Sequence, residues 1–208
     1  MTSALASELF ETPVLDRLPT ILPESTKLTA ANENPDFRRI FEAAGDILHQ
    51  GEALLGSLSV DAYTRNLPVA FNASIGGHYR HCLDHFSSLL RGIDAGFVDY
   101  DHRERDLRIE LEPLFALEIT RQLRALLAQL EVGELAKPIR ARCEVSYAQG
   151  NSPVTQSSLG RELAYAIAHG IHHYALISVM ARLQNAELPP HFGIAPSTVA
   201  HQKGFPPA

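Results

Sequence analysis

Residues 74–93 read SIGGHYRHCLDHFSSLLRGI, and this stretch decides the fold class. Ser74 is an N-cap residue, whose side-chain oxygen takes up one of the amide donors that a helix start leaves open. Behind it, Ile75, Cys82, Phe86, Leu89 and Ile93 recur at helical spacing and form one apolar stripe. The helix is expected to run to about Ala95, with Gly96 suiting its end. A single apolar stripe has to be covered by other elements, so the rest of the chain must supply partners.

Three further segments share the pattern. Asn34-Pro35 opens a helix, with Asn as cap and Pro in the first turn. Phe37, Ile40, Phe41, Ala44, Ile47, Leu48, Leu54 and Leu55 follow at helical spacing, and Gly51 is read as a cost to this helix near its end. A third helix is expected from about Glu112 to Leu130, carrying Leu114, Leu117, Ile119, Leu123, Leu126 and Leu127. The fourth starts near Ser157-Ser158 and ends by Asn185, because Pro189-Pro190 forbids continuation.

The connections are read differently. Ser59 to Tyr63 suggests a short turn, and Val98 to Arg108 a loop of interleaved charges. Ile139 to Val145 alternates apolar and polar residues, and Gly150 to Pro153 is a turn, so this part is a small hairpin or an extended crossover. The expected fold is all-α, an antiparallel four-helix bundle over residues 34–208. Its C-terminal tail from His191 carries Phe192, Ile194 and Val199, enough to pack as a lid. Residues 1–33, with Pro13, Pro19 and Pro23, form an arm or extension.

Composition narrows the function classes. The chain has 208 residues, 45% of them apolar, which allows a sizeable core. A diffuse net charge of −6 argues against a nucleic-acid-binding face, which needs clustered Lys and Arg. Cys82 and Cys143 are too few and too far apart for a disulfide framework, and read as reduced thiols. No apolar run is long enough to span a membrane, and the N-terminus lacks the pattern of a signal peptide. A cytoplasmic protein is the expectation.

The ten histidines carry the chemistry. His78, His81 and His85 lie on the second long helix, and His169, His172 and His173 on the fourth. His169 and His173 are four apart, so their side chains leave one side of the helix a turn apart. Two imidazoles so placed bind one cation in neighbouring positions, and a third from a facing helix completes a three-histidine site with an open position. On the second helix, periodicity favours His78 or His85, which flank the apolar stripe; His81 lies further round. His172 is expected to be a second-layer partner or to face outward, and His49, His102, His191 and His201 to be surface residues. Asp84 and Glu162 are read as orienting partners of the imidazoles or as solvated helix charges. The chain has no phosphate-binding glycine loop, no serine nucleophile elbow and no CxxC pair.

Ser74-Ile75-Gly76-Gly77-His78-Tyr79-Arg80-His81 resembles the second-helix motif of the DinB-like (YfiT-like) metalloprotein superfamily, and His169-x3-His173 resembles the motif on that family's later helix. The resemblance covers residues 35–185 and implies that the ligands are His81, His169 and His173. It also implies a divalent transition metal (zinc or nickel, with iron the third option) and a homodimer. The partner it implies is a small thiol or other small-molecule substrate. The activity implied is that of a metal-dependent thiol transferase or hydrolase, the alternative being a non-enzymatic metal-binding or stress-associated protein with a structural or vestigial site. Many relatives follow the last histidine with Arg-Gly-Gln, where this chain has Tyr174-Ala175-Leu176, which implies different substrate contacts.

Overall fold

The computed structural model describes residues 35–147 and 150–204. The expected arm at residues 1–33 and the Asn34 cap lie outside the described residues. Helix α1 spans Pro35–Ser57 and is followed by the short α2, Val60–Thr64, and a 3-10 turn at Pro68–Ala70. Helix α3 spans Ile75–Gly92, and strand β1, Phe97–Asp99, follows it. Helices α4, Leu107–Leu111, and α5, Pro113–Leu127, come next, and then a 3-10 turn at Val132–Ala136. Strands β2, Pro138–Arg142, and β3, Val154–Ser158, lead into the long α6, Leu159–Leu183. A short α7, Pro196–Gln202, lies in the tail.

The chain is thus mostly helical, and the four long segments expected from periodicity are all helices. The all-α expectation needs one correction. β2 and β3 pair antiparallel, with Ile139 opposite Ser157, which makes the Ile139 segment a hairpin. β1 adds to it in parallel, Val98 opposite Ala141, giving a three-stranded sheet in the order β1-β2-β3. Phe97-Val98-Asp99 is too short to display a period of two, and its pairing is set by residues some forty positions away.

Helix α3 packs against α5 and α6, and α1 packs against the same two. The apolar stripe of α3 is buried as expected: Ile75, Cys82, Phe86, Leu89 and Ile93 all lie in the core. Three tyrosines fill the centre, with Tyr79 stacked on Tyr174 and edge-on to Tyr63. Each phenol has a partner, as buried aromatic hydroxyls require. Tyr63 donates to the Ile109 carbonyl at 2.6 Å and Tyr174 to the Ile47 carbonyl at 3.1 Å; Tyr79 donates to Thr120 Oγ1 at 2.8 Å, whose own hydroxyl donates to the Ala116 carbonyl. These hydroxyls account for Gly51. A Cβ there would collide with the hydroxyls of Tyr79 and Tyr174, so the residue that weakens α1 locally is the one that lets two tyrosines close under it. Among the described residues no helix is long and apolar enough to cross a membrane.

Candidate metal centre

The site is built where α3 faces α6. Ser74 caps α3 as expected, its Oγ accepting from Gly77 N at 2.9 Å. Gly76 admits the backbone of α4, since a Cβ at this position would run into the Glu110 carbonyl. On α6, Ser158 Oγ accepts from Arg161 N at 3.2 Å, and Gly170 lets Ile47 of α1 pack closely. Ala166, Gly170, Tyr174 and Ile177 form the buried stripe of α6. His169 and His173 sit half-buried beside it, turned toward α3.

The contacts run in opposite senses along the two helices. His78 meets His173, His81 meets His169, and His85 meets Tyr165, so α3 and α6 are antiparallel here. His169 Nε2 and His81 Nε2 are 2.9 Å apart, and one donates to the other. The ring centroids of His81 and His173 are 4.5 Å apart, and those of His169 and His173 4.6 Å. One nitrogen from each of His81, His169 and His173 lies within 4.8 Å of the others, the arrangement of a group that can hold a metal ion. Two imidazole nitrogens on a tetrahedral zinc stand about 3.3 Å apart, from a metal–nitrogen length of about 2.0–2.1 Å. The 2.9 Å between the His81 and His169 nitrogens lies close to that spacing.

The electrostatics suit ligation. Burial, then Arg103 and His169, pushes His81 down to about 3. Burial, then His81 and His169, pushes His173 down to about 3. His169 is lowered as well, chiefly by burial. The three imidazoles are therefore neutral at ordinary pH, the state in which nitrogen is a ligand.

The other sequence-derived candidates are placed as follows. His78 Nδ1 is 3.0 Å from His173 Nδ1, so a hydrogen bond between them orients that ring while His78 stays outside the cluster. His85 is 2% exposed, the most buried of the three on α3, yet it faces Arg103 Nη1 with its Nε2, at 3.3 Å. The apolar stripe favoured His78 or His85 as the third ligand, whereas the α3 imidazole whose nitrogen groups with those of both His169 and His173 is His81. His172, His49, His102, His191 and His201 are exposed, as expected.

Asp84 and Glu162 correct both earlier readings. They are 4% and 7% exposed, so neither is a solvated charge, and neither bonds an imidazole. Asp84 accepts from Arg80 Nη1 at 3.2 Å; Glu162 accepts from Tyr100 Oη at 2.9 Å and Ser157 Oγ at 2.6 Å. Tyr174, which stands where relatives of the resembled family have Arg, is a core residue stacked between Tyr79 and Phe192. Arg103 was missed by sequence reasoning, because its neighbours Asp101, Glu104 and Asp106 suggested a charge-balanced loop.

No family model matches the chain, and no solved structure matches it. The chain is 32% identical over 106 residues to FK506-binding protein 5 of Rhizopus delemar. That stretch is 51% of this chain but 28% of the relative, so the chain spans under a third of that protein's length.

Proposed function

We propose that His81, His169 and His173 hold one divalent transition metal (zinc or nickel first, iron next) in an antiparallel four-helix bundle of the DinB-like kind. The observation that carries this is the approach of three neutral imidazoles from α3 and α6 to within 4.8 Å of one another. Three neutral donors leave a coordination position open, which is the form of a catalytic rather than a structural zinc site. A cation held there supplies Lewis acidity and lowers the pKa of a bound water or thiol. The chain's own residues do the rest. Burial keeps the imidazoles unprotonated, and His78 holds the His173 ring in one orientation. Arg80, and the pair of Tyr100 and Ser157, hold Asp84 and Glu162 away from the cluster.

The reaction class that fits is transfer of a low-molecular-weight thiol, or hydrolysis. Metal analysis of untagged protein from unsupplemented medium tests the first step, and is expected to find close to one transition-metal ion per chain. A protein that takes up none ends the proposal. Screening with thiol adducts tests the second step; a metal-loaded protein that converts none of them is a binding protein, not an enzyme. The same reading carries a homodimer packed through helices, which the 80% exposure of Leu114 on α5 and the exposed Leu126 support. Light scattering at micromolar concentration is expected to give twice 22.8 kDa, and a single 22.8 kDa species counts against the dimer.

A further inference from the structure

The segment joining β1 to α4 is braced at several points. Asp99 Oδ1 accepts from the amides of Asp101 at 3.0 Å and His102 at 3.3 Å, and Arg142 Nη1 donates to Asp99 Oδ2 at 3.1 Å. Asp101 Oδ1 accepts from Glu144 N at 2.9 Å. Arg105, held at a φ of 53°, donates Nη2 to the Asp101 carbonyl at 3.3 Å. This bracing fixes where Arg103 stands.

Arg103 Nη1 donates to the Tyr100 carbonyl and to His85 Nε2. Its Nε is buried with no hydrogen-bond partner, and among the described residues no carboxylate forms an ion pair with it. Of the carboxylates nearby, Asp84 is engaged with Arg80, and Glu162 with Tyr100 and Ser157. Asp101 takes the Glu144 amide with Oδ1 and leaves Oδ2 buried without a hydrogen-bond partner; its charge acts on Arg103, as does that of Asp84, but neither forms an ion pair with it. Because His85 Nε2 accepts from Arg103, its proton sits on Nδ1, and that N–H is also buried without a partner. The His85 ring lies 4.1 Å from that of His169 and 4.9 Å from that of His81. A half-buried guanidinium and an orphaned imidazole N–H therefore border the candidate ligands. Leaving a cation unpaired and partly out of water is unfavourable unless an anion completes it.

We propose that Arg103 docks a carboxylate of the substrate, so that the substrate class is a small carboxylate-bearing molecule whose other end reaches the three-histidine cluster. This rests on the metal-centre reading above. The planar guanidinium presents parallel N–H groups that match a carboxylate's two oxygens, and its charge is permanent. The three imidazoles are neutral and bring no negative charge, so a loaded site is strongly positive and draws an anion.

The test uses the full chain, metal-free and zinc-loaded, with 13C-labelled acetate as probe and NMR as readout. Acetate is expected to bind both forms, more tightly with zinc. R103Q should keep the wild-type zinc content and weaken acetate binding about tenfold to a hundredfold, the loss of a charge-assisted contact. R103K, which keeps the charge and loses the fork, should fall between. On the wild-type protein, acetate should shift the Arg103 Nε–H resonance, which decides the matter even if R103Q does not fold. Equal acetate affinity in R103Q and wild type, or a resonance that acetate leaves unmoved, overturns the assignment. Inorganic phosphate binding more tightly than acetate through Arg103 overturns the carboxylate class. If the wild type takes up no zinc, the metal reading fails. The acetate comparison in the metal-free protein then decides the role of Arg103 by itself.

Discussion

Zinc should stabilise the wild-type protein and leave His169→Ala nearly unmoved. A ligand that binds only the folded state adds about 2.7 kcal/mol when present at a hundred times its dissociation constant. For a domain of this size each kcal/mol is worth about 2–4 °C in Tm, so the wild type should gain roughly 5–11 °C. His169 supplies one of only three nitrogens in the cluster. Its loss should weaken binding at least about a hundredfold, the upper end of what removing a mere orienting partner does. At the same zinc concentration the variant then sits near its own dissociation constant and gains only about 0.4 kcal/mol, or about 1–2 °C. Differential scanning fluorimetry with and without zinc, on untagged protein, reads this directly. His173→Ala and His81→Ala should behave alike, and His172→Ala, which alters an exposed side chain, should keep the full shift. His85→Ala opens a buried space and should lower the metal-free Tm, yet keep most of the zinc increment. A full shift in His169→Ala refutes the ligand set. A shift kept by His81→Ala but lost in His85→Ala or His78→Ala would show that periodicity, not the His81 assignment, had named the ligand.

Acid should destabilise the metal-free protein. His85 is held down to about 2 and His81 and His173 to about 3, chiefly by burial, from an ordinary value of 6.5. Between about 6.5 and 3 the unfolded chain binds more protons than the folded one, so stability present above that window is lost as pH falls through it. The slope is at most about 1.4 kcal/mol per pH unit for buried His85, and smaller for His81 and His173, where solvent screens the charge. A urea midpoint that rises between about pH 7.5 and 5 contradicts this. Gly51→Ala should cost about 1–3 kcal/mol, because its new methyl meets two tyrosine hydroxyls, and should lower Tm by roughly 2–12 °C. An unchanged Tm would mean that the tyrosines can give way.

How much could be read from the chain varies with how local the cause is. The four long helices follow from side chains three and four apart, and their ends from caps and prolines within a few residues, so these were legible. β1 was not, because three residues carry no period and their partner strand is distant in sequence. Gly51 was read as a defect, since its reason lies in Tyr79 and Tyr174 on two other helices. On α3, periodicity tracks burial, and it pointed to His78 or His85, of which only His85 is buried. Convergence is a different quantity. It depends on how α3 crosses α6, and the antiparallel contacts bring a nitrogen of His81, not of the more buried His85, within 4.8 Å of nitrogens on both His169 and His173.

The environment of the cluster explains why a neutral donor set goes with an unpaired arginine. A carboxylate ligand would cancel part of a metal's charge, and two buried carboxylates stand close by in sequence and space. Neither is free to serve. Drawing Asp84 toward the cluster would leave Arg80 with only Glu110 and a half-buried charge short of its partner. Drawing Glu162 away would strand the buried Tyr100 hydroxyl and the Ser157 hydroxyl. Each such loss costs about 1–3 kcal/mol, more where a charge is left uncovered. The fold thus commits these two carboxylates to holding α3, β3 and α6 in register. Asp101 keeps one carboxylate oxygen buried and unpartnered but forms no ion pair with Arg103, so among the described residues the Arg103 Nε meets no anion and is the group placed to take one from the proposed substrate.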